Sequence, residues 1–172
     1  MRELILGGAR SGKSRLAQQR AEASGLAVTC IVTATPDDRE MAERIAHHQA
    51  ARPADWLVVE EPIALTAALT EHAAPERCLL VDCLTLWLNN SLADGADTRF
   101  ALQRQALLDT LPRLPGEIIL VGNEIGLGVV PMGQLTRRFV DENGRLHQDL
   151  AALCERVTLC VAGLPMALKD ET

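Results

Sequence analysis

Two stretches of the chain carry residue types at the spacing that phosphate chemistry needs. The first is GGARSGKS, Gly7 to Ser14, which fits G-x-x-x-x-G-K-[ST]. In such a loop Gly7, Gly8 and Gly12 let the backbone turn its N–H groups inward around phosphate oxygens, with Ala9, Arg10 and Ser11 completing the turn. Lys13 is then placed to neutralise β- and γ-phosphate charge, and the Ser14 hydroxyl to hold Mg²⁺. A serine-capped glycine turn would share the pattern. Here, however, the apolar ELIL precedes it and the helical SRLAQQRAEA follows, the order that nucleotide binding requires. A second metal-oriented carboxylate fits Asp82, at the end of the apolar run CLLVDC; a helix N-cap is the alternative role for it.

The second stretch is RIAHHQAARP, Arg44 to Pro53, with adjacent histidines ahead of an Arg-Pro pair. If residues 38–51 are helical, Met41, Ile45 and His48 form one stripe at i, i+4, i+7, and Glu40, Arg44 and His47 a separate charged row. His48 then faces the protein or a cleft and His47 faces solvent. A histidine on an apolar stripe is more often a hydrogen-bonded core residue than a catalyst. Arg52, one turn further on, is nevertheless a fixed cation suited to pyrophosphate, and a neutral imidazole beside it could attack phosphorus.

The elements that must hold these residues follow from the apolar pattern. Short continuous runs at 3–6, 27–34, 56–60, 78–83, 117–122 and 156–163 read as buried strands. Helical spacing occupies about 14–24, 38–51, 62–73, 84–92, 98–112 and 133–154. This alternation predicts an α/β fold with a parallel sheet covered by helices on both faces, in one domain spanning 1–172. TPDD at 35–38 suits the start of the second helix, Gly25 the end of the first, and LADGADT at 92–98 reads as a loop.

Composition narrows the function. Hydrophobic residues make up 48% and charged residues 23% of the chain, so it can form an ordinary globular core. A net charge of −6 and only four aromatic residues, Trp56, Trp87, Phe100 and Phe139, argue against nucleic-acid binding and for small ligands. The five cysteines form no C-x-x-C pair and read as buried thiols of a cytoplasmic protein rather than as a disulfide framework. No run suggests a signal peptide or membrane span. A switch GTPase would carry an Asn-Lys-x-Asp guanine reader after a later strand. The chain has GNEIG at the matching place, and its DENG at 141–144 follows helical sequence. Two readings remain beside each other on these grounds: a P-loop kinase of a small molecule, and a nucleotide-dependent binding module.

The blocks GGARSGKS, TATPDDREMAERIAHHQAARPADW, LLVDCLTLWLNN, VGNEIGLGVVP and RFVDENGRLHQDLA, in this order, resemble the bifunctional adenosylcobinamide kinase / adenosylcobinamide-phosphate guanylyltransferase family of cobalamin biosynthesis. The resemblance spans nearly the whole chain. It implies a RecA-like P-loop NTPase fold, usually assembled as a homotrimer. It also implies phosphorylation of adenosylcobinamide with ATP or GTP, then transfer of GMP from GTP, through a guanylylated histidine, to adenosylcobinamide phosphate. Carried over by motif, Gly7–Ser14, Thr33, Ala34, Thr35, Gln49, Ala50, Ala51, Arg52, Glu60 and Asp82 would bind nucleotide. The family histidine precedes Arg-Pro by four residues, which selects His48. The chain departs from the family at His147-Gln148, where Asn-Gln is common; if that amide makes a substrate contact, the change alters corrinoid affinity. NEIGLGVVP, 123–131, either shapes the corrinoid side or serves as a structural strand-to-helix loop.

Overall fold

The computed structural model describes residues 1–35, 52–92 and 97–171. In chain order the described elements are β1 (Arg2–Gly7), α1 (Lys13–Ala23), β2 (Ala27–Val32), β3 (Leu57–Glu60), α2 (Leu65–His72), β4 (Arg77–Asp82), α3 (Leu84–Leu92), α4 (Asp97–Thr110), β5 (Glu117–Asn123), α5 (Gln134–Leu153), β6 (Arg156–Val161) and β7 (Leu164–Asp170). All six expected strands are present, and five of the six expected helices. The sixth helix, 38–51, lies outside the described residues.

The strands form one sheet in the order β3-β2-β4-β5-β1-β6-β7, parallel throughout except for the antiparallel β6–β7 pair. Strand β5 therefore lies between β1 and β4, with Gly7 beside Asn123 and Asp82 beside Val121. Near-continuous apolar strands fit burial on both faces, since successive side chains alternate sides. Leu4, Leu6, Leu79, Val81, Ile118 and Leu120 pack under α2–α5, whereas Ile5, Cys30, Cys78, Leu80 and Ile119 pack with Ala17 and Ala21 of α1. Trp87 anchors the larger layer. It is fully buried, meets Phe100 edge-on at 5.8 Å, and its indole N–H donates to Ile63 O at 2.8 Å.

The seventh strand is the element that periodicity missed. LPMALKD turns back on β6 through Ala162 and Gly163, both at positive φ, and leaves Leu164, Met166 and Leu168 exposed. All five cysteines are free and buried, as their apolar surroundings predicted. No helix among the described residues is long and apolar enough to cross a membrane.

Candidate active site

Strand order brings most of the sequence candidates to one edge of the sheet. Gly7 ends β1, Asp82 ends β4, Glu60 ends β3, and Thr33 follows β2, all at the carboxyl ends of parallel strands. This is where open α/β sheets bind ligands.

Contacts within the chain define the shape of the phosphate loop. Gly12 takes φ +94°, a left-handed conformation that a side chain would strain, and thereby starts α1 directly behind the loop. Leu16 N–H reaches back to Gly12 O at 3.0 Å, and Ser11 N–H to Gly8 O at 3.3 Å. Gly7 is needed for a different reason: a Cβ there would lie 2.4 Å from Ser11 Oγ and 2.6 Å from Cys160 O. Gly8, Ala9 and Arg10 are exposed on the rim. Lys13 is largely buried, and its ammonium donates to Gly8 O at 3.1 Å. Ser14, on the first turn of α1, stays partly accessible.

The neighbouring strand ends are tied together. Thr33 Oγ1 donates to Cys83 O at 2.6 Å and accepts from Cys83 N–H at 3.1 Å, so Thr33 fixes the backbone immediately after Asp82. Asn90 then donates to both Thr33 O at 2.8 Å and Pro62 O at 3.1 Å. Ala34, Thr35 and Asp82 remain half-buried and Glu60 exposed. Burial pushes the Cys83 thiol up to about 11, reinforced by the adjacent Asp82 carboxylate, so it stays a neutral thiol. Cys30 is pushed up to about 12 by burial, with Arg52 opposing and Asp82 reinforcing the shift. Arg52 and Asp82 thus act on one thiol in the second strand, and the buried Nε of Arg52 has no hydrogen-bond partner among the described residues. His47, His48, Gln49, Ala50 and Ala51 lie outside the described residues.

Three supports escaped the sequence reading. The β6–β7 turn grips the phosphate loop, with Gly163 N–H at 2.8 Å and Cys160 Sγ at 3.1 Å from Ser11 O. Thr85 Oγ1 accepts from Asn123 N–H at 2.8 Å, tying α3 to the end of β5. Asn143 on α5 donates to Asn123 O at 3.1 Å. His147, one turn later, is buried, and desolvation lowers its pKa while Glu124, 4.0 Å from Nδ1, opposes the shift. A hollow of about 250 Å³ between α3 and α5, lined by Asn89, Leu92, Leu135, Thr136 and Phe139, brings no ionisable group together.

A glycine loop, a buried lysine at a helix start, and a carboxylate two strands away across one intervening strand define a P-loop nucleotide-binding protein of the RecA-like class. Solved structures agree on the fold. The RadB recombinase superposes with TM-score 0.51 at 13% identity, covering 92% of this chain and 73% of its own. A Pyrococcus horikoshii protein gives 0.57 at 10% identity, covering 99% of this chain and 86% of its own.

Sequence comparison is more specific. The family model described as cobinamide kinase / cobinamide phosphate guanyltransferase matches residues 3–168, and the chain belongs to that family. It is 62% identical over 171 residues to the bifunctional adenosylcobalamin biosynthesis protein CobP of Pseudomonas aeruginosa, covering 99% of both chains. It is 36% identical over 179 residues to the bifunctional adenosylcobalamin biosynthesis protein CobU of Salmonella typhimurium, covering 96% of this chain and 98% of the relative.

Proposed function

We propose that this chain catalyses two steps at one nucleotide site: phosphorylation of the adenosylcobinamide hydroxyl by ATP or GTP, and transfer of GMP from GTP to the resulting adenosylcobinamide phosphate. The observation that carries the reading is the phosphate loop and Asp82 at the carboxyl ends of the two strands that flank β5, in a chain that matches this family along nearly its whole length. Gly7–Ser14 bind the phosphates, and Lys13 neutralises charge on them. Thr33–Thr35, Glu60 and Asp82 line the rest of the nucleotide site. Arg52, whose buried Nε has no partner among the described residues, supplies a second phosphate contact.

The donor set suits Mg²⁺. Ser14 and Asp82 offer partly accessible oxygens, and a hard cation that keeps several waters needs few protein ligands. When bound, the ion neutralises developing phosphate charge. Among the described residues no group of three or more His, Cys, Asp or Glu forms a metal cage, which suits a cation held largely by phosphates and water.

His48 is the residue that carries GMP. Its support is the Met41/Ile45/His48 stripe and the four-residue spacing to Arg52. The attacking imidazole nitrogen forms a bond to the α-phosphorus as the bond to the bridging oxygen breaks, and pyrophosphate leaves. The phosphate of adenosylcobinamide phosphate then displaces the histidine. The exposed row Leu164, Met166 and Leu168 on β7 supports self-association, for which we propose a homotrimer. Five free buried thiols support a cytoplasmic setting, and the net charge of −6 supports the absence of nucleic acid as a partner.

Incubation with GTP labelled at the α-phosphate, followed by mass spectrometry, tests the reading. A GMP adduct on His48, lost in His48→Asn and retained in His47→Asn, is expected, while His48→Asn still phosphorylates adenosylcobinamide. An adduct mapped to His47, or no adduct in protein that turns over corrinoid, would refute the assignment.

A further inference from the structure

A polar cluster at the end of β5 lies next to the nucleotide site without belonging to it. Glu124 leaves the strand with its backbone N–H donated to Gly7 O at 3.0 Å, which fastens the residue to the first glycine of the phosphate loop. Its Oε1 accepts from Gly126 N–H at 2.6 Å, and Oε2 lies 4.0 Å from His147 Nδ1. The imidazole reaches across Gly122, where a Cβ would come within 2.6 Å of Nε2, so the ring occupies space that only a glycine leaves. Asn143 closes the cluster, its Nδ2 3.5 Å from the same Nδ1.

This cluster is built but incompletely satisfied. Asn123 Oδ1, Asn143 Oδ1 and His147 Nε2 are buried without a hydrogen-bond partner among the described residues, although Asn143 is 1% and His147 6% exposed. Buried polar atoms left unpaired cost roughly 1–3 kcal/mol each, so three of them together point to a polar ligand or water as their partner. The Glu124 side chain, by contrast, is 24% exposed and reachable from the rim.

We infer that Glu124 is the general base for the acceptor hydroxyl in phosphoryl transfer, with His147 and Asn143 as the residues that position it. The inference rests on the kinase reading above. Because β5 runs between β1 and β4, Glu124 leaves the sheet between the strand of the phosphate loop and the strand of Asp82. Its backbone, not its carboxylate, performs the structural attachment to Gly7, which leaves one carboxylate oxygen for chemistry. The segment that follows in the chain exposes Leu127, Val129, Val130 and Met132, apolar surface that suits the body of a large alcohol. In the step, the hydroxyl oxygen bonds to the γ-phosphorus and the bond from that phosphorus to its bridging oxygen breaks. The nucleoside diphosphate leaves with the electron pair, and the hydroxyl proton passes to Glu124. Nucleotide and alcohol are the only reactants.

Glu124→Gln keeps the shape and the backbone bond but removes the base. Steady-state phosphorylation of adenosylcobinamide should lose at least ~100-fold in kcat, the lower end of what a positioned base contributes. The nucleotide KM and the GMP adduct formed from GTP should be retained. His147→Gln, and Gly122→Ala, which pushes the ring, should lower the same kcat by about ten-fold at unchanged nucleotide KM, an intermediate share of that contribution. Wild-type phosphorylation in Glu124→Gln would overturn the proposal, as would parallel loss of adduct formation and nucleotide affinity, which would make the residue part of the loop's scaffold. A wild-type protein that forms the adduct but phosphorylates no corrinoid would instead overturn the kinase reading beneath it.

Discussion

Gly7→Ala compared with Gly8→Ala separates steric need from mere glycine content in the phosphate loop. At position 7 the new methyl would sit 2.4 Å from Ser11 Oγ, 2.6 Å from Cys160 O and 3.2 Å from Ser11 Cβ. The serine hydroxyl can rotate away. Cys160 O belongs to the backbone of β6, which is paired with β1 on one side and β7 on the other, so it has far less freedom to move. Forcing a methylene-sized group into such a place costs about 1–3 kcal/mol. The alanine also restricts the unfolded chain, which returns roughly 0.4–1 kcal/mol. The net expectation is a loss centred on ~1 kcal/mol and reaching about 2.6 kcal/mol, or a fall in Tm of up to about 10 °C for a domain of this size. At position 8 a Cβ meets nothing within 4 Å among the described residues, and the residue is not at positive φ, so the unfolded-state effect is the one expected. Thermal unfolding of the nucleotide-free proteins, followed by circular dichroism, should place Gly7→Ala below wild type and Gly8→Ala at or slightly above it. Equal Tm values for the two variants would refute the claim that β6 sets the clearance of the loop.

Three further outcomes are expected. Lys13→Ala should lose more than ~100-fold in both activities with folding intact, the scale of removing one electrostatic donor; near-normal turnover would reject its role at the phosphates. Asp82→Asn should raise the Mg²⁺ concentration needed for half-maximal turnover while nucleotide binding without metal changes little, and an unchanged Mg²⁺ titration would return Asp82 to a structural role. The folded-state pKa of His147 is depressed by burial below its ordinary 6.5, so its contribution is intact above that value and is lost as pH falls through the folded pKa, because the unfolded chain takes up the proton first. Urea unfolding at pH 7.5 and 5.5 should therefore show an acid-side loss of stability that is smaller in His147→Asn; an identical pH dependence in the two proteins would contradict the burial of a neutral ring.

What the sequence disclosed and what it hid divide along a physical line. The strands that are buried on both faces announce themselves as continuous apolar runs, because each residue of LLV at 79–81 must meet a core on one side or the other. The phosphate loop was legible because its glycines, lysine and serine are adjacent in the chain, and Asp82 because a strand end is where an apolar run stops. Edge strand β7 was missed because its alternating Leu164, Met166 and Leu168 form only a short pattern interrupted by Pro165, and they lie exposed instead of in a run buried on both faces. The supports were hidden for a further reason. Ser11 is held by Cys160 and Gly163, and Glu124 faces His147, through contacts that exist only after β5 has inserted between β1 and β4 and the chain has returned through α5 and β6. His147 in particular looks like a polar residue on an amphipathic helix. Its side chain acquires a chemical setting only from Gly122, a residue whose importance lies in what it lacks. Chemistry carried by neighbours in sequence can thus be read directly, whereas chemistry assembled across the sheet needs the register of the strands, and it is there, at the end of β5, that the acceptor side of the reaction is to be tested.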